Sequence, residues 1–438
     1  MEFKNPFGPS AQITLRGLWI GFIVLVLMIP TFQVTDLVRE RKTRQQEAGA
    51  EISRLWSSAQ TITGPFIVIP YLQFSDDQKN YERRNVYVLP DVLNINTTIS
   101  PEIRHRSIYD VAVYTSEIEL SGTFDRILLE KLNIDTAKIF WNEISIQTGV
   151  TDFRGITDPV AIIWNGNARA MEGGVVANSV IDKGLQASID WNEILPVNTY
   201  KLLLHLKGSE QVAFVPMGKI TEAKVKSNWK DPSFGGAFLP SSPAKINEAG
   251  FEATWKILEL NRNYPQVFKD VSYPIAESAF SITFKQLSDF YAKTERSVKY
   301  AFLFIALTFA MYFFMELVLK SNVHSIQYVM VGLALCLFYL LLLSISEYLG
   351  FDKAYWISTI AIVGMVGLYT SHLFRQKKSA LVFTFVIAVL YSFIYLLIQL
   401  QEKALLIGSI SLFILLGIVM YFTRNLDWGK NTNDELNR

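Results

Sequence analysis

Residues Ser325 to Ser346 read SIQYVMVGLALCLFYLLLLSIS, a run without one charged side chain. At ~1.5 Å of rise per residue, a helix of this length crosses a hydrocarbon layer ~30 Å thick, so this stretch places the chain in a bilayer. Working outward, the reading repeats in Tyr300–Leu319, Ala354–Phe374, Ser379–Leu400 and Ala404–Thr423, each about 20 residues long. The breaks between them carry charges and turn formers: Lys320-Ser321-Asn322, Gly350-Phe351-Asp352-Lys353, Arg375-Gln376-Lys377-Lys378 and Gln401-Glu402-Lys403. Far upstream, Gly17–Thr35 (GLWIGFIVLVLMIPTFQVT) adds a sixth apolar run. Lys4 and Arg16 would also suit the n-region of a cleaved signal peptide, the rival reading. The run is long and no small-x-small site follows Pro30, so an uncleaved signal anchor is expected.

With six crossings both termini share a side. Lys4, Arg16, Lys320, Arg375, Lys377, Lys378, Arg424, Lys430 and Arg438 fall on that side, against Lys353 and Lys403 in the opposite short loops. By the positive-inside rule the termini are cytoplasmic and the long polar interval lies on the outer face. Arg39, Arg41, Lys42 and Arg44, with Lys293, Arg296 and Lys299, run against that count, but long translocated domains follow the rule weakly. The expected organisation is a cytoplasmic N-terminus (1–16), a transmembrane anchor (17–35), a helical stalk (36–60), an outer β-rich domain (61–298), a five-helix transmembrane bundle (299–423) and a cytoplasmic tail (424–438).

In the stalk, Ile52, Leu55 and Trp56 share one helix face among many charges. Beyond it the apolar period becomes two. Asn85–Leu89, Ile108–Ser121, Lys138–Ser145, Tyr200–Leu206 and Phe251–Leu258 alternate or run with β-branched and aromatic residues between Pro, Gly, Asn and Asp turns. The expected fold class is a multi-pass α-helical membrane protein with a large extracytoplasmic, mainly-β domain, an antiparallel sandwich with short helices such as Asp125–Leu132.

Composition removes several functions. Hydrophobic residues make up 50% of the chain and charged ones 18%, unlike a uniformly soluble enzyme. Lys and Arg number 41 against 40 Asp and Glu, so no basic excess supports nucleic acid as a partner. One cysteine, Cys336, cannot form an intramolecular disulfide, and four scattered histidines complete no zinc set, so neither metal nor cofactor is expected. Ser242-Pro243-Ala244-Lys245 fits the S-x-x-K pattern of penicillin-interacting serine enzymes, but S-D-N and K-T-G elements are missing and a loop is the plainer reading. With no Walker loop, dinucleotide glycines or nucleophile and base pair, no catalytic residue is nominated and no enzyme is expected.

Inside the apolar runs ionisable groups are few, and transport chemistry generally needs them. Glu316 is the deepest; four residues before Lys320, it is placed to pair with that lysine and reach the interface. Glu347 stands at the outer end of its span, within reach of water. Gln327, with Ser344, Ser346 and Gln399, reads as interhelical glue or as part of a substrate track. In the polar interval, the stretch 227–240 (SNWKDPSFGGAFLP) packs aromatic, proline and glycine residues into a shaped loop. Two readings stand for Trp229, Asp231, Phe234 and Phe238, together with Arg262 further on: a rigid corner filling the core, or a surface for a partner.

Several stretches also carry a family likeness. They include Gln60-Thr61-Ile62-Thr63-Gly64-Pro65, Ile108-Tyr109-Asp110-Val111-Ala112-Val113-Tyr114, Asp152-Phe153-Arg154-Gly155, Asn261-Arg262-Asn263-Tyr264-Pro265-Gln266 and Glu295-Arg296-Ser297-Val298-Lys299-Tyr300. In the apolar part they include Ile326-Gln327-Tyr328, Leu337-Phe338-Tyr339-Leu340-Leu341-Leu342-Leu343-Ser344 and Thr423-Arg424. With the loop at Trp229, the chain from about Gln60 to Trp428 resembles the CreD family of bacterial inner-membrane proteins. Only Ser107 and Glu402-Lys403 depart from the pattern, and no role is assigned to them.

The resemblance implies an inner-membrane protein with a periplasmic domain, linked to cell-envelope integrity, envelope stress and colicin tolerance, and supplies no catalytic residues. The leading expectation is a non-enzymatic protein in contact with the lipid bilayer, whose outer domain binds an envelope lipid, a cell-wall component or a protein. The alternative is a membrane transporter or flippase using the helix bundle.

Overall fold

In the computed structural model the described residues are 9–74, 80–106, 109–125, 136–175, 178–269, 271, 273–284, 290–319, 323–373, 377–400, 406–410, 413–414, 417 and 420. The chain divides into a helical unit (Met1–Arg44 with Ser288–Arg438) and a β unit (Gln45–Leu287).

The helical unit begins with α1 (Pro9–Trp56), which holds the apolar run Gly17–Thr35 and most of the helical extension expected after it. The boundary between the units falls inside it. Pro30 interrupts its hydrogen-bond ladder, having no N–H to give the Val26 carbonyl; in the next turn the Thr31 hydroxyl donates to the Met28 carbonyl at 2.7 Å. Next come α2 (Phe290–Lys299), α3 (Ala301–Leu319), α4 (Ser325–Leu349), α5 (Phe351–Leu373) and α6 (Lys377–Gln399). Among the described residues four helices are long and apolar enough to cross a membrane; α2 and α3, bent by 43°, make a fifth crossing if taken as one span. Most of the last expected run, Ala404–Thr423, and the tail lie outside the described residues.

Close approaches fix the packing. The Leu27 side chain of α1 sits against Gly332 of α4, where an added Cβ would fall 2.1 Å from Leu27 Cδ1. Gly350, at φ +76°, closes α4 and lets α5 start at the next residue, because the left-handed conformation there costs glycine little. Short α2 is amphipathic, burying Tyr291, Thr294, Ser297 and Val298, one face at helical spacing.

The β unit holds two sheets. Across the first run β13 (Pro232–Gly236), β17 (Phe280–Phe284), β11 (Gln211–Val215), β1 (Gln60–Phe74), β5 (Ser145–Val150), β9 (Gly184–Ser188) and β8 (Glu172–Gly173), with β2 (Tyr81–Val88) pairing β1 and β16 (Val267–Lys269) pairing β2. Across the second run β14 (Lys245–Asn247), β15 (Gly250–Leu258), β12 (Ile220–Ser227), β3 (Val92–Arg106), β4 (Tyr109–Asp125), β10 (Val197–Ser209), β6 (Ala161–Trp164) and β7 (Asn167–Ala170). Residues from both sheets join one core, among them Phe66, Tyr87, Tyr114, Phe124, Trp164, Phe214 and Trp255.

Most pairings are antiparallel, as the strand pattern suggests. Two are not: β1 lies parallel to β11 and β3 parallel to β12, making both sheets mixed. The strand expected over Lys138–Ser145 is also corrected. That segment forms two short 3-10 turns, Thr136–Lys138 and Trp141–Glu143, before β5 starts at Ser145. Its apolar Ile139-Phe140-Trp141 imitates a strand, but Ile139 makes only an isolated bridge to Tyr71. The Phe140 amide donates to the carbonyl of Pro70 at 3.0 Å, and Pro70 has no N–H to return, so the ladder stops. The helix expected over Asp125–Leu132 falls almost wholly outside the described residues.

Candidate functional site

The loop singled out in the sequence mostly faces the core of the β unit. Phe234 meets Phe251 and Trp255 edge-on at 5.6 and 5.8 Å, and Trp229 meets Phe284 at 6.0 Å. The Phe238 carbonyl accepts from Trp255 Nε1 at 3.2 Å. Part of the loop, Pro232–Gly236, is the edge strand β13. Asp231 is exposed, its carbonyl accepting from Trp229 Nε1 at 3.1 Å. Arg262 stands apart from this cluster in its contacts. Its guanidinium donates to the carbonyls of Tyr264, Met217 and Gly218 at 2.8, 3.1 and 3.3 Å and to Gln266 Oε1, and lies 4.2 Å from the Tyr264 ring centre. Burial lowers its pKa, and no carboxylate is among these partners.

A polar face was not found from the sequence. Along β10 and β12 exposed and buried residues alternate, so one face of the second sheet is apolar and the other turned to solvent. The register sets His205, Glu117, Thr98, Lys226 and Glu252 in one row across β10, β4, β3, β12 and β15. A second row holds Leu203, Glu119, Asn96, Lys224 and Thr254. Opposite charges pair across the strands, as in Lys201–Glu119 at 2.8 Å and Lys224–Glu252 at 3.1 Å. Two clefts open here: one of about 380 Å³ lined by Thr98, Ser100, Thr115, Glu117, Asp158 and His205, another of about 340 Å³ lined by Asn96, Thr98, Glu117, Glu119, Lys224 and Lys226. Thr98 and Glu117 belong to both. His205 Nδ1 lies 2.9 Å from Asp158 Oδ2, while Ser116, which also lines the first cleft, donates its hydroxyl to the Leu206 carbonyl at 3.0 Å. Such a surface offers many donors and acceptors to a hydroxylated or zwitterionic ligand. Period-two alternation in the sequence marks solvent-facing positions; only the register makes rows of them.

A second missed cluster closes the end of α1. Gln60 Nε2 donates to the carbonyls of Asp152 and Lys207 at 2.8 and 3.1 Å, and Gln60 Oε1 accepts from the Asp152 amide at 3.1 Å. Asp152 Oδ2 accepts from the Ser58 amide and hydroxyl, both at 3.0 Å, and from Arg154 Nη2 at 2.7 Å. Arg154 also donates to the Arg54 carbonyl in the last turn of α1. The Arg154 guanidinium, supported by Ser58, holds the Asp152 carboxyl well below the usual carboxylate range against the opposing pull of burial. Gly155 is required: an added Cβ would lie 2.3 Å from the Lys207 carbonyl oxygen and 2.4 Å from Gln60 Nε2.

In the helical unit, Glu316 pairs with Arg16 Nη1 at 2.7 Å and accepts from the Tyr328 hydroxyl at 2.9 Å, its side chain only 5% exposed. Arg16 comes from another helix; Lys320, the partner expected from the sequence, lies outside the described residues. Glu347, expected within reach of water, is 10% exposed; it accepts from Tyr291 of α2 at 3.0 Å and faces Arg41 Nε at 3.9 Å. Gln327 accepts from the His324 amide at 2.8 Å and so caps α4. Among the described residues no group of His, Cys, Asp and Glu is arranged to hold a metal ion.

Helices long and apolar enough to cross a membrane, in one chain with a large mainly-β unit, define the class: a membrane protein with a substantial folded domain. The family model of the inner membrane protein CreD matches residues 12–429. The inner membrane protein CreD of Escherichia coli is 32% identical over 421 residues, covering 92% of this chain and 91% of that protein. The chain belongs to the CreD family. A solved structure from Parabacteroides distasonis is 10% identical, covers 57% of this chain and 50% of its own, and superposes with a TM-score of 0.22, too low to carry an argument.

Proposed function

We propose that this CreD-family protein is a non-enzymatic receptor of the bacterial envelope, with both termini in the cytoplasm and the β unit in the periplasm. In this reading the polar face of the second sheet recognises an envelope component, and occupancy supports envelope integrity under stress. The observation that carries it is the pair of clefts sharing Thr98 and Glu117 on an open sheet face. Large aromatic side chains occupy the interior beneath, so recognition falls to the surface rather than to an enclosed lipid cavity. The excess of cations in the short loops on the terminal side supports the orientation, and the family likeness supports the links to envelope stress and colicin tolerance.

The test is retention of purified full-length protein on envelope fractions: wall sacculi, phospholipid vesicles and solubilised envelope proteins. One fraction should retain the protein, and Glu117→Lys together with Lys226→Glu should abolish retention without lowering thermal stability. Retention by none of them, or equal retention of the double variant, defeats the proposal.

A further inference from the structure

The helical unit buries hydroxyl groups that nothing among the described residues satisfies. Thr294 and Ser297 on α2, Thr308 on α3, Tyr339 on α4, and Ser358 and Thr359 on α5 are buried, and their oxygens have no hydrogen-bond partner among the described residues. Buried polar atoms in folded proteins are almost always paired, with ordered water taking the place of a missing side chain.

Helical spacing sets several of them in line with buried Glu316 and with Glu347, whose side chain is 10% exposed. On α3, Thr308, Tyr312 and Glu316 recur every fourth residue and share a face. On α4, Tyr328 and Tyr339 are eleven residues apart, about three turns, and on α5 so are Thr359 and Thr370. Tyr312 bonds to Thr370 between α3 and α5, and Tyr328 donates to Glu316 between α4 and α3. At the opposite end of α4 the Tyr291 hydroxyl donates to Glu347. Each carboxylate faces one arginine, Arg16 or Arg41. Tyr328 and Glu347 stand about 28 Å apart along the helix axis, close to the hydrocarbon thickness.

We infer that these hydroxyls take up water and form a relay carrying protons across the bilayer between Glu316 and Glu347. A hydroxyl accepts a proton on a lone pair and releases its own to the next oxygen. Water bridges the gaps between them. A carboxylate at each end takes the proton from one side and yields it on the other, so the transmembrane gradient alone drives the transfer and no redox partner is needed. Ionisable groups inside a bundle commonly mark such paths. The inference is independent of what the β unit binds.

The test uses full-length protein in phospholipid vesicles, with an enclosed pH dye and a potassium gradient made electrogenic by valinomycin. Acidification should exceed that of protein-free vesicles at least tenfold. Glu316→Gln should abolish the excess, and Tyr339→Phe and Thr308→Val, which keep shape and remove only hydroxyls, should each reduce it severalfold. These two variants decide the matter even if Glu316→Gln fails to fold. Flux no greater than in protein-free vesicles, or unchanged in both hydroxyl variants, overturns the relay; a rise in the melting temperature of Tyr339→Phe would mean that its hydroxyl is buried dry.

Discussion

Asp152 shows how a side chain with no evident catalytic role holds the β unit together. Its carboxylate receives Ser58 and Arg154 together, and its own backbone is clasped by Gln60. Replacing it with alanine should cost about 2 kcal/mol, the scale of a charge-assisted hydrogen bond left unmade, measured by urea unfolding of the full chain in detergent. Because folding depresses its pKa, its ionised form is favoured in the native state. That stabilisation is fully present above the ordinary aspartate value, near pH 4, and is lost as pH falls toward and through the folded value. Amide exchange at Ser58 should therefore accelerate on acidification in the native protein and lose that dependence in Asp152→Asn. Sequence reading reached Glu316 as the deepest carboxylate but missed Arg16, because periodicity compares residues on one helix and the partner comes from another. Asp152 and Gln60 were legible only as parts of a family motif, since bonds across ninety residues leave no local signal.

At the scale of the element, the helices were readable and the sheet pairings were not. An apolar run longer than a turn or two has one fate in a bilayer, so α4, α5 and α6 fall close to their expected limits. Strand partners carry no such mark: β1 finds β11 about 150 residues later, by register alone. Glycines divide the same way. Gly332 touches Leu27 and Phe309, whereas Gly21 has nothing within 4 Å of an added Cβ. Gly332→Val should separate α1 from α4 and lower the melting temperature in detergent by several degrees, as an overpacked contact costing about 1–3 kcal/mol does. Gly21→Ala should leave it unchanged.

At the scale of the whole molecule, the β unit has its own core and closes on itself between Gln45 and Leu287. A fragment of those residues should give a β-type circular dichroism spectrum and a cooperative urea transition; a gradual, non-cooperative change would mean that the unit depends on the helices. Periplasmic reporter fusions near residue 150 should be active, and cytoplasmic reporters at the same place silent, in the orientation proposed here.

The two parallel pairings also set an order of events. β1 and β3 leave the ribosome long before β11 and β12, the strands that flank them, and β17 follows later still. The sheets therefore cannot be completed until nearly all of the unit has been synthesised, and such long-range closure is slow. Hairpins of adjacent strands such as β3 and β4 can form early, whereas closure of the sheets waits for β11, β12 and β17; in the orientation proposed above, that closure follows passage through a secretory pore.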